Sequence, residues 1–264
     1  MKLCPRTTLE RQDVFEGDNL FLYNFALEYI KKKKVLDVGT GYGFGANYIL
    51  QNGAKQVLGI DIDKGAITFA KKTFKKKHLD FQIMDATEMI LPKKFYDVIL
   101  VFDVIEHLPS DKHLVFLRKI KEFLVNRGIL LISTPNKLIS SPNQKTSGNP
   151  HHLKEYTPGE LKKVIKKFFP ETKIFGIKII NEEYNKKVDK LGRKFRYVFF
   201  NYFGKFRIAR DLISLVPKKI RRKISGEDTL PKREIKDFRL DKNKIDESKN
   251  LLTISKNIVP NIYI

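Results

Sequence analysis

The sequence carries a single cysteine, Cys4, in 264 residues. An intrachain disulfide is therefore excluded, and so is a metal site built from several cysteines. A reducing compartment, the cytosol, is expected. Long apolar runs are also missing: none approaches about 18 uninterrupted residues, so no membrane-spanning helix is expected. The opening Met1-Lys2-Leu3-Cys4-Pro5-Arg6 lacks the apolar stretch of a signal peptide, and none is expected. Acidic residues are in short supply, 30 Asp and Glu against 52 Lys and Arg, leaving a formal net charge of +22. Such an excess points to an anionic partner: nucleic acid, a phosphorylated substrate or a membrane surface. The short runs Lys31–Lys34 and Lys75–Lys77 flank expected strands and read as solvated ends. A hydrophobic content of 42% is enough for a core. The length suits one large domain, or one domain with a sizeable insertion.

Glycine is concentrated in one place. Val35-Leu36-Asp37-Val38 is a short apolar run ending around an acid, and Gly39-Thr40-Gly41-Tyr42-Gly43-Phe44-Gly45-Ala46 follows, with Asn47-Tyr48-Ile49-Leu50 able to continue as helix. That order is strand, tight turn, helix. Glycines stand in such a turn when the backbone needs positive φ or a ligand lies directly against it. A second apolar run ends in an acid at Leu58-Gly59-Ile60-Asp61, about 20 residues past the glycines, where a carboxylate grips ribose hydroxyls. A nucleoside ligand is expected. Two patterns compete for it. Gly41, Gly43 and Ala46 fit the dinucleotide pattern G-x-G-x-x-G/A, which would imply NAD. Asp37, Gly39, Gly41 and Gly43 fit acid-x-G-x-G-x-G.

The second pattern resembles motif I of the class I S-adenosylmethionine (SAM) dependent methyltransferases. Phe81-Gln82-Ile83-Met84-Asp85-Ala86 resembles that family's third strand, whose terminal acid contacts the adenine amino group. Tyr96 to Phe102 with Asp103-Val104-Ile105-Glu106-His107-Leu108 resembles strand four and its loop. The resemblance implies SAM as cofactor, held by Asp37, Gly39, Thr40, Gly41, Tyr42, Gly43, Asp61, Ile62, Asp85, Ala86, Phe102 and Asp103. Glu10-Arg11 and Tyr23-Asn24-Phe25-Ala26 further resemble the lead-in of a subgroup encoded with glycan-assembly genes, although Asp13 or Val14 stands where that subgroup has a proline. There the first helix covers the cofactor, so Tyr23 and Arg11 are candidates to face SAM or substrate; simple packing is the competing role of Tyr23. The Asp/Glu-His pattern after strand four is similar to that of small-molecule and lipid-quinone O-methyltransferases.

Periodicity supplies the remaining elements. A helix is expected over residues 18–31, strands over 34–38, 56–61, 80–84, 97–102, 129–133 and 172–180, and helices over 42–52 and 64–76. Ser110 is expected to cap a helix carrying Leu114, Leu117, Lys121 and Leu124 and closed by Gly128. Thr157-Pro158-Gly159-Glu160 reads as a capping box opening a helix with Leu161, Val164, Ile165 and Phe168 on its buried stripe. Lys249 to Lys256 reads as the last strand, which the family resemblance makes antiparallel and places between strands five and six. The expected fold is therefore a Rossmann-like α/β domain with seven strands, mostly parallel, and helices on both faces. Residues 1–33 would be a cover helix and 185–240 a basic insertion before the last strand.

Proton chemistry has candidates on the loops beyond strands four and five. These are Asp103, Glu106, His107, His151 and His152, with His107 best placed and histidine the default base. His151 and His152 are adjacent, so in extended backbone one faces the site at most. Acids beside histidines raise a metal reading, but the spacing matches no trusted ligand set and no metal is expected. The position after strand four reads Phe102-Asp103-Val104-Ile105, without the [N/D]-P-P-[Y/F] tetrad of base-amine methyltransferases. The expected acceptor is a sugar, a lipid-linked glycan or another small molecule, methylated on oxygen. RNA is the rival, favoured by residues 185–235, which hold 16 Lys and Arg against 5 Asp and Glu with interleaved aromatics. A lid, an anionic membrane surface and an RNA arm are the three roles open to that segment.

Overall fold

The computed structural model describes residues 18–142, 149, 151–179, 236, 238–248 and 250–257. Arg11, the Glu10-Arg11 lead-in and nearly all of the basic segment lie outside the described residues. Contacts divide the chain into two units, residues 1–178 with 239–264, and residues 179–238.

In the first unit the described residues open with α1 (Asp18–Ile30), then alternate β1 (Lys34–Val38), α2 (Phe44–Gln51), β2 (Gln56–Asp61), α3 (Lys64–Thr73) and β3 (Leu79–Ile83). β4 (Tyr96–Phe102) leads through two 3-10 turns to α4 (His113–Phe123), β5 (Leu124–Pro135) and α5 (Lys137–Ser140). α6 (Pro158–Lys166), β6 (Glu171–Ile179), β7 (Phe238–Asp241) and β8 (Asn250–Lys256) complete it. The sheet order is β3-β2-β1-β4-β5-β8-β6-β7. β1 to β5 run parallel, and β8 is antiparallel to both of its neighbours. The Rossmann-like expectation holds, with eight strands rather than seven. The extra strand is β7, four residues that follow the basic segment and add to the outer edge of β6.

Both faces of the central strands are covered, as their apolar character requires. Leu36, Val38, Ile99 and Val101 meet Phe116, Leu117 and Ile120 of α4 and Leu161 and Ile165 of α6 in one cluster. Full burial of each such side chain contributes roughly 1.5–3 kcal/mol. The alternate residues of β1 turn to the other face, where Tyr23 of α1 reaches Asp37. The capping box of α6 forms as expected, Thr157 and Glu160 each bonding the other's backbone amide. Around α4 the expectation is corrected. Ser110 opens a 3-10 turn and makes no side-chain cap bond. The buried stripe is His113, Phe116, Leu117, Ile120 and Phe123, while Leu114 is exposed. The helix ends at Phe123, and Gly128 lies inside β5 instead of closing it.

Candidate functional site

The glycine turn is built by backbone hydrogen bonds that tie the end of β1 to β2. The Gly39 and Thr40 amides donate to the Ile60 carbonyl at 2.8 and 3.0 Å. The Gly41 amide donates to Asp61 Oδ2 at 2.9 Å, and the Asp63 amide to Asp61 Oδ1 at 2.8 Å. Two glycines serve different ends. A Cβ on Gly39 would stand 2.3 Å from Val104 Cγ2, so the turn closes against the loop after β4. A Cβ on Gly41, where φ is +55°, would meet no atom of the described residues within 4 Å. The backbone is bare there toward open space, which is what a cradle for a ligand requires.

Asp61 is only 3% exposed, and each of its oxygens already takes a backbone amide. It therefore shapes the turn as well as offering negative charge beside it. Asp61→Ala is expected to weaken cofactor binding by roughly 1–3 kcal/mol, the scale of lost charge-assisted bonds. Asp61→Asn should recover little, because its amide group would confront one of the two backbone donors. Calorimetric titration checks both; wild-type affinity in both variants would remove Asp61 from the cofactor site.

Asp37 lies beneath the turn, 1% exposed. Thr40 Oγ1 donates to it at 2.7 Å, and the Tyr23 hydroxyl lies 3.0 Å from both of its oxygens. Thr40 and Tyr23 thus serve Asp37, and Tyr23 also stands edge-on to Phe102 with ring centroids 5.2 Å apart. Burial pushes the Asp37 carboxyl up to about 6, against the pull of the Thr40 and Tyr23 bonds. A raised carboxyl costs stability as pH rises from its unfolded value through about 6. Tyr23→Phe removes one donor to the charged form and raises that pKa further. Its stability deficit, read by urea unfolding, should widen from pH 5 to pH 8; a constant gap would mean that Tyr23 does not support the Asp37 charge.

Beyond β2 and β3, Ile62 and Ile83 are exposed apolar side chains, 40% and 53% accessible. Their strand ends are neighbours, since Asp61 pairs with Ile83. Ile83 was not singled out by the sequence; a strand-end isoleucine reads as core until its exposure is seen. Asp85 Oδ1 accepts from the Thr87 amide and hydroxyl at 2.7 and 2.9 Å, and Ala86 packs on the core. Tyr42 stands edge-on to Phe69 of α3 at 5.4 Å.

The loops after β4 and β5 bring the remaining candidates together. Asp103 has a φ of +52°, held by Ser133, whose hydroxyl donates to Asp103 Oδ1 at 2.8 Å and accepts from its amide at 3.0 Å. Glu106 is 1% exposed, and its Oε2 accepts from Thr134 Oγ1 at 2.9 Å. Burial pushes its carboxyl well above the usual range, with Asp103 and Glu155 adding to the rise. The Leu153 and Lys154 amides donate to the Glu106 carbonyl at 2.7 and 3.2 Å, lacing the two loops together. His107 Nδ1 lies 2.9 Å from the His151 carbonyl oxygen. A carbonyl only accepts, so Nδ1 carries the proton and Nε2 the lone pair. His152 faces His107 with ring centroids 4.9 Å apart. Its Nδ1 lies 2.6 Å from Glu155 Oε1 and its Nε2 2.8 Å from Asn149 Nδ2. Of the adjacent pair, then, His152 enters the site and His151 contributes a carbonyl. Glu155 was missed by the sequence reading. It is 4% exposed, and its Oε2 takes hydroxyl bonds from Ser140 and Ser141 at 2.6 and 2.7 Å. Donor atoms of Glu106, His107 and His152 all lie within 4.8 Å of one another, a grouping the expectation of no metal had not foreseen.

A Rossmann-like sheet with a bare glycine turn, a carboxylate at the end of β2 and an acid-histidine loop after β4 defines an α/β domain for a nucleoside cofactor. Residues 36–132 match the family model described as a methyltransferase domain. A probable SAM-dependent methyltransferase of Mycobacterium tuberculosis is 34% identical over 131 residues, 49% of this chain and 45% of that protein. A ubiquinone biosynthesis O-methyltransferase of Pelagibacter ubique is 35% identical over 113 residues, 42% of this chain and 46% of that protein. The chain thus spans about half the length of these curated relatives. A solved SAM-dependent methyltransferase of Archaeoglobus fulgidus shares the fold with a TM-score of 0.56 at 20% identity, covering 93% of this chain and 97% of that one. Residues 36–132 are thus similar to a methyltransferase domain, and the similarity to SAM-dependent methyltransferases supports SAM as the cofactor. The residues fit that cofactor: the bare face at Gly41, the Asp61 carboxylate and the apolar pair Ile62 and Ile83 are a cradle, an anchor and a flat wall.

Proposed function

We propose that the chain transfers the methyl group of SAM to a hydroxyl oxygen of a sugar, a lipid-linked glycan or another small molecule. The observation that carries this reading is the juxtaposition of Glu106, His107 and His152 on the loops that close against the glycine turn. Bound SAM supplies a methyl carbon already activated by its sulfonium. The protein's task is to align the acceptor and to relieve it of a proton. The methyl that SAM would supply passes to the acceptor oxygen, leaving the S–C pair on sulfur, and Glu106, His107 and His152 would take up the hydroxyl proton. His107 is suited to this because its Nδ1 is tied to the His151 carbonyl, which holds the basic Nε2 in one orientation. His152 is held likewise by Glu155. The 35% identical ubiquinone biosynthesis O-methyltransferase of Pelagibacter ubique supports the choice of oxygen.

The glycan part of the proposal rests on the Tyr23-Asn24-Phe25-Ala26 resemblance, whose Tyr23 lies close to Asp37. Among the described residues no helix is long and apolar enough to cross a membrane, so a lipid-linked acceptor would be met from the surface. Incubating the chain with methyl-labelled SAM and separate lipid, glycan and RNA fractions tests the class. Label in glycan or lipid as an alkali-stable ether is the expected result. Label in RNA alone, or on an amine, would overturn it.

A further inference from the structure

We propose that Glu106, His107 and His152 form the binding site of one divalent transition-metal ion, with zinc as the best match. The inference rests on the methyltransferase reading for the ion's role, but not for its binding. Three observations carry it. First, three donor atoms from two separate loops lie within 4.8 Å of one another. A tetrahedral zinc with bonds of about 2.0–2.1 Å needs its donors somewhat closer, a contraction that small side-chain rotations supply.

Second, both imidazoles are prepared in the way metal-bound histidines are. Each has its Nδ1 against an oxygen acceptor, the His151 carbonyl at 2.9 Å and Glu155 Oε1 at 2.6 Å. Such outer partners fix the tautomer and the ring plane and leave Nε2 as the ligand atom. Glu155 is itself braced by the Ser140 and Ser141 hydroxyls, so His152 is oriented by a fixed carboxylate. Third, Glu106 is 1% exposed and Oε1 of its carboxylate has no hydrogen-bond partner among the described residues. A buried polar atom left without a partner is costly, and coordination to a cation is a standard way to satisfy it.

Two imidazoles and one carboxylate suit zinc or another first-row divalent ion rather than magnesium or calcium, which prefer all-oxygen sites. Three protein ligands leave at least one coordination position open, as in catalytic zinc sites. The ligand class for that position is a hydroxyl or paired oxygen groups of the acceptor, polarised by the ion beside the transferable methyl. One contact must change on loading: Asn149 Nδ2 stands 2.8 Å from His152 Nε2 and has to swing away.

The test uses the full chain, stripped with a chelator and titrated with Co²⁺ under a visible spectrum, then with Zn²⁺ in competition. One equivalent of Co²⁺ should give a saturable ligand-field band that Zn²⁺ removes. Glu106→Gln and the double variant His107→Ala/His152→Ala should each weaken binding by at least about 100-fold, the upper end of what losing an outer partner alone costs. SAM affinity, measured in parallel, should be unchanged and certifies the fold. Should Glu106→Gln fail to fold, the histidine double variant decides, since neither ring is fully buried. No saturable band in the wild type, or equal affinity in the double variant, overturns the ion site. Retained SAM binding with no ion would leave the methyltransferase reading standing with a metal-free proton path. Loss of SAM binding in the wild type would sink that reading and leave the ion titration valid.

Discussion

Gly41→Val yields a folded chain that no longer binds SAM. At Gly41 φ is +55°, which an L residue adopts at a cost of roughly 1–2 kcal/mol, and a branched one at somewhat more. That strain is within what a domain of this size tolerates. Among the described residues no atom lies within 4 Å of the added Cβ, so none of them is struck. The γ methyls instead occupy the volume over the bare backbone, where the cofactor must lie. Affinity should fall by at least about 100-fold, equivalent to roughly 2.7 kcal/mol. Gly39→Val is the contrast, because its Cβ would stand 2.3 Å from Val104. There the unfolding midpoint and SAM binding should drop together. Calorimetry with thermal unfolding of both variants is the measurement. A Gly41→Val chain that binds SAM like the wild type would show that the cofactor does not rest on this turn.

The central strands were legible because parallel strands covered on both faces read as uninterrupted apolar runs, and β1 and β2 fall on their expected residues. β7 was not legible. Phe238-Arg239-Leu240-Asp241 is too short and too charged to stand out, and it is a strand only because β6 offers an edge to pair with. The α4 stripe was set one residue out of phase. Lys121 follows Ile120, whose side chain is fully buried, and the heptad-like spacing of leucines outweighed the tighter run of Phe116, Leu117 and Ile120. In the site, the acids at strand ends and the glycines could be found by spacing, since the local chain places them. Pairings across the fold could not. Tyr23 was a candidate to face SAM; its hydrogen bond to Asp37 depends on how α1 lies against β1. Glu155 was hidden for the same reason. Its one sequence signal is a carboxylate three residues after His152, which looks like an ordinary charged residue until Ser140 and Ser141 are brought beside it.

His107→Ala and His152→Ala are each expected to lower turnover by about 10²–10⁴-fold, the range for removing a group that handles a proton in the transition state. SAM affinity should survive in both, because the rings bond the His151 carbonyl, Glu155 and Asn149, none of them part of the glycine turn. The two rings meet at 4.9 Å, so they act as one unit, and the double variant should lose little more than the worse single one. Glu155→Gln makes the sharper test. A glutamine keeps the size of the side chain but takes away the charge that holds His152 Nδ1–H at 2.6 Å. Its turnover should fall by about 10–100-fold, the usual cost of losing an outer partner. The loss should appear in kcat with KM for SAM unchanged. A merely structural Glu155 would lower the unfolding midpoint and leave kcat of the folded chain in place. If His107→Ala or His152→Ala instead loses SAM binding, the rings belong to the cofactor pocket and proton removal must be sought elsewhere on the same loops.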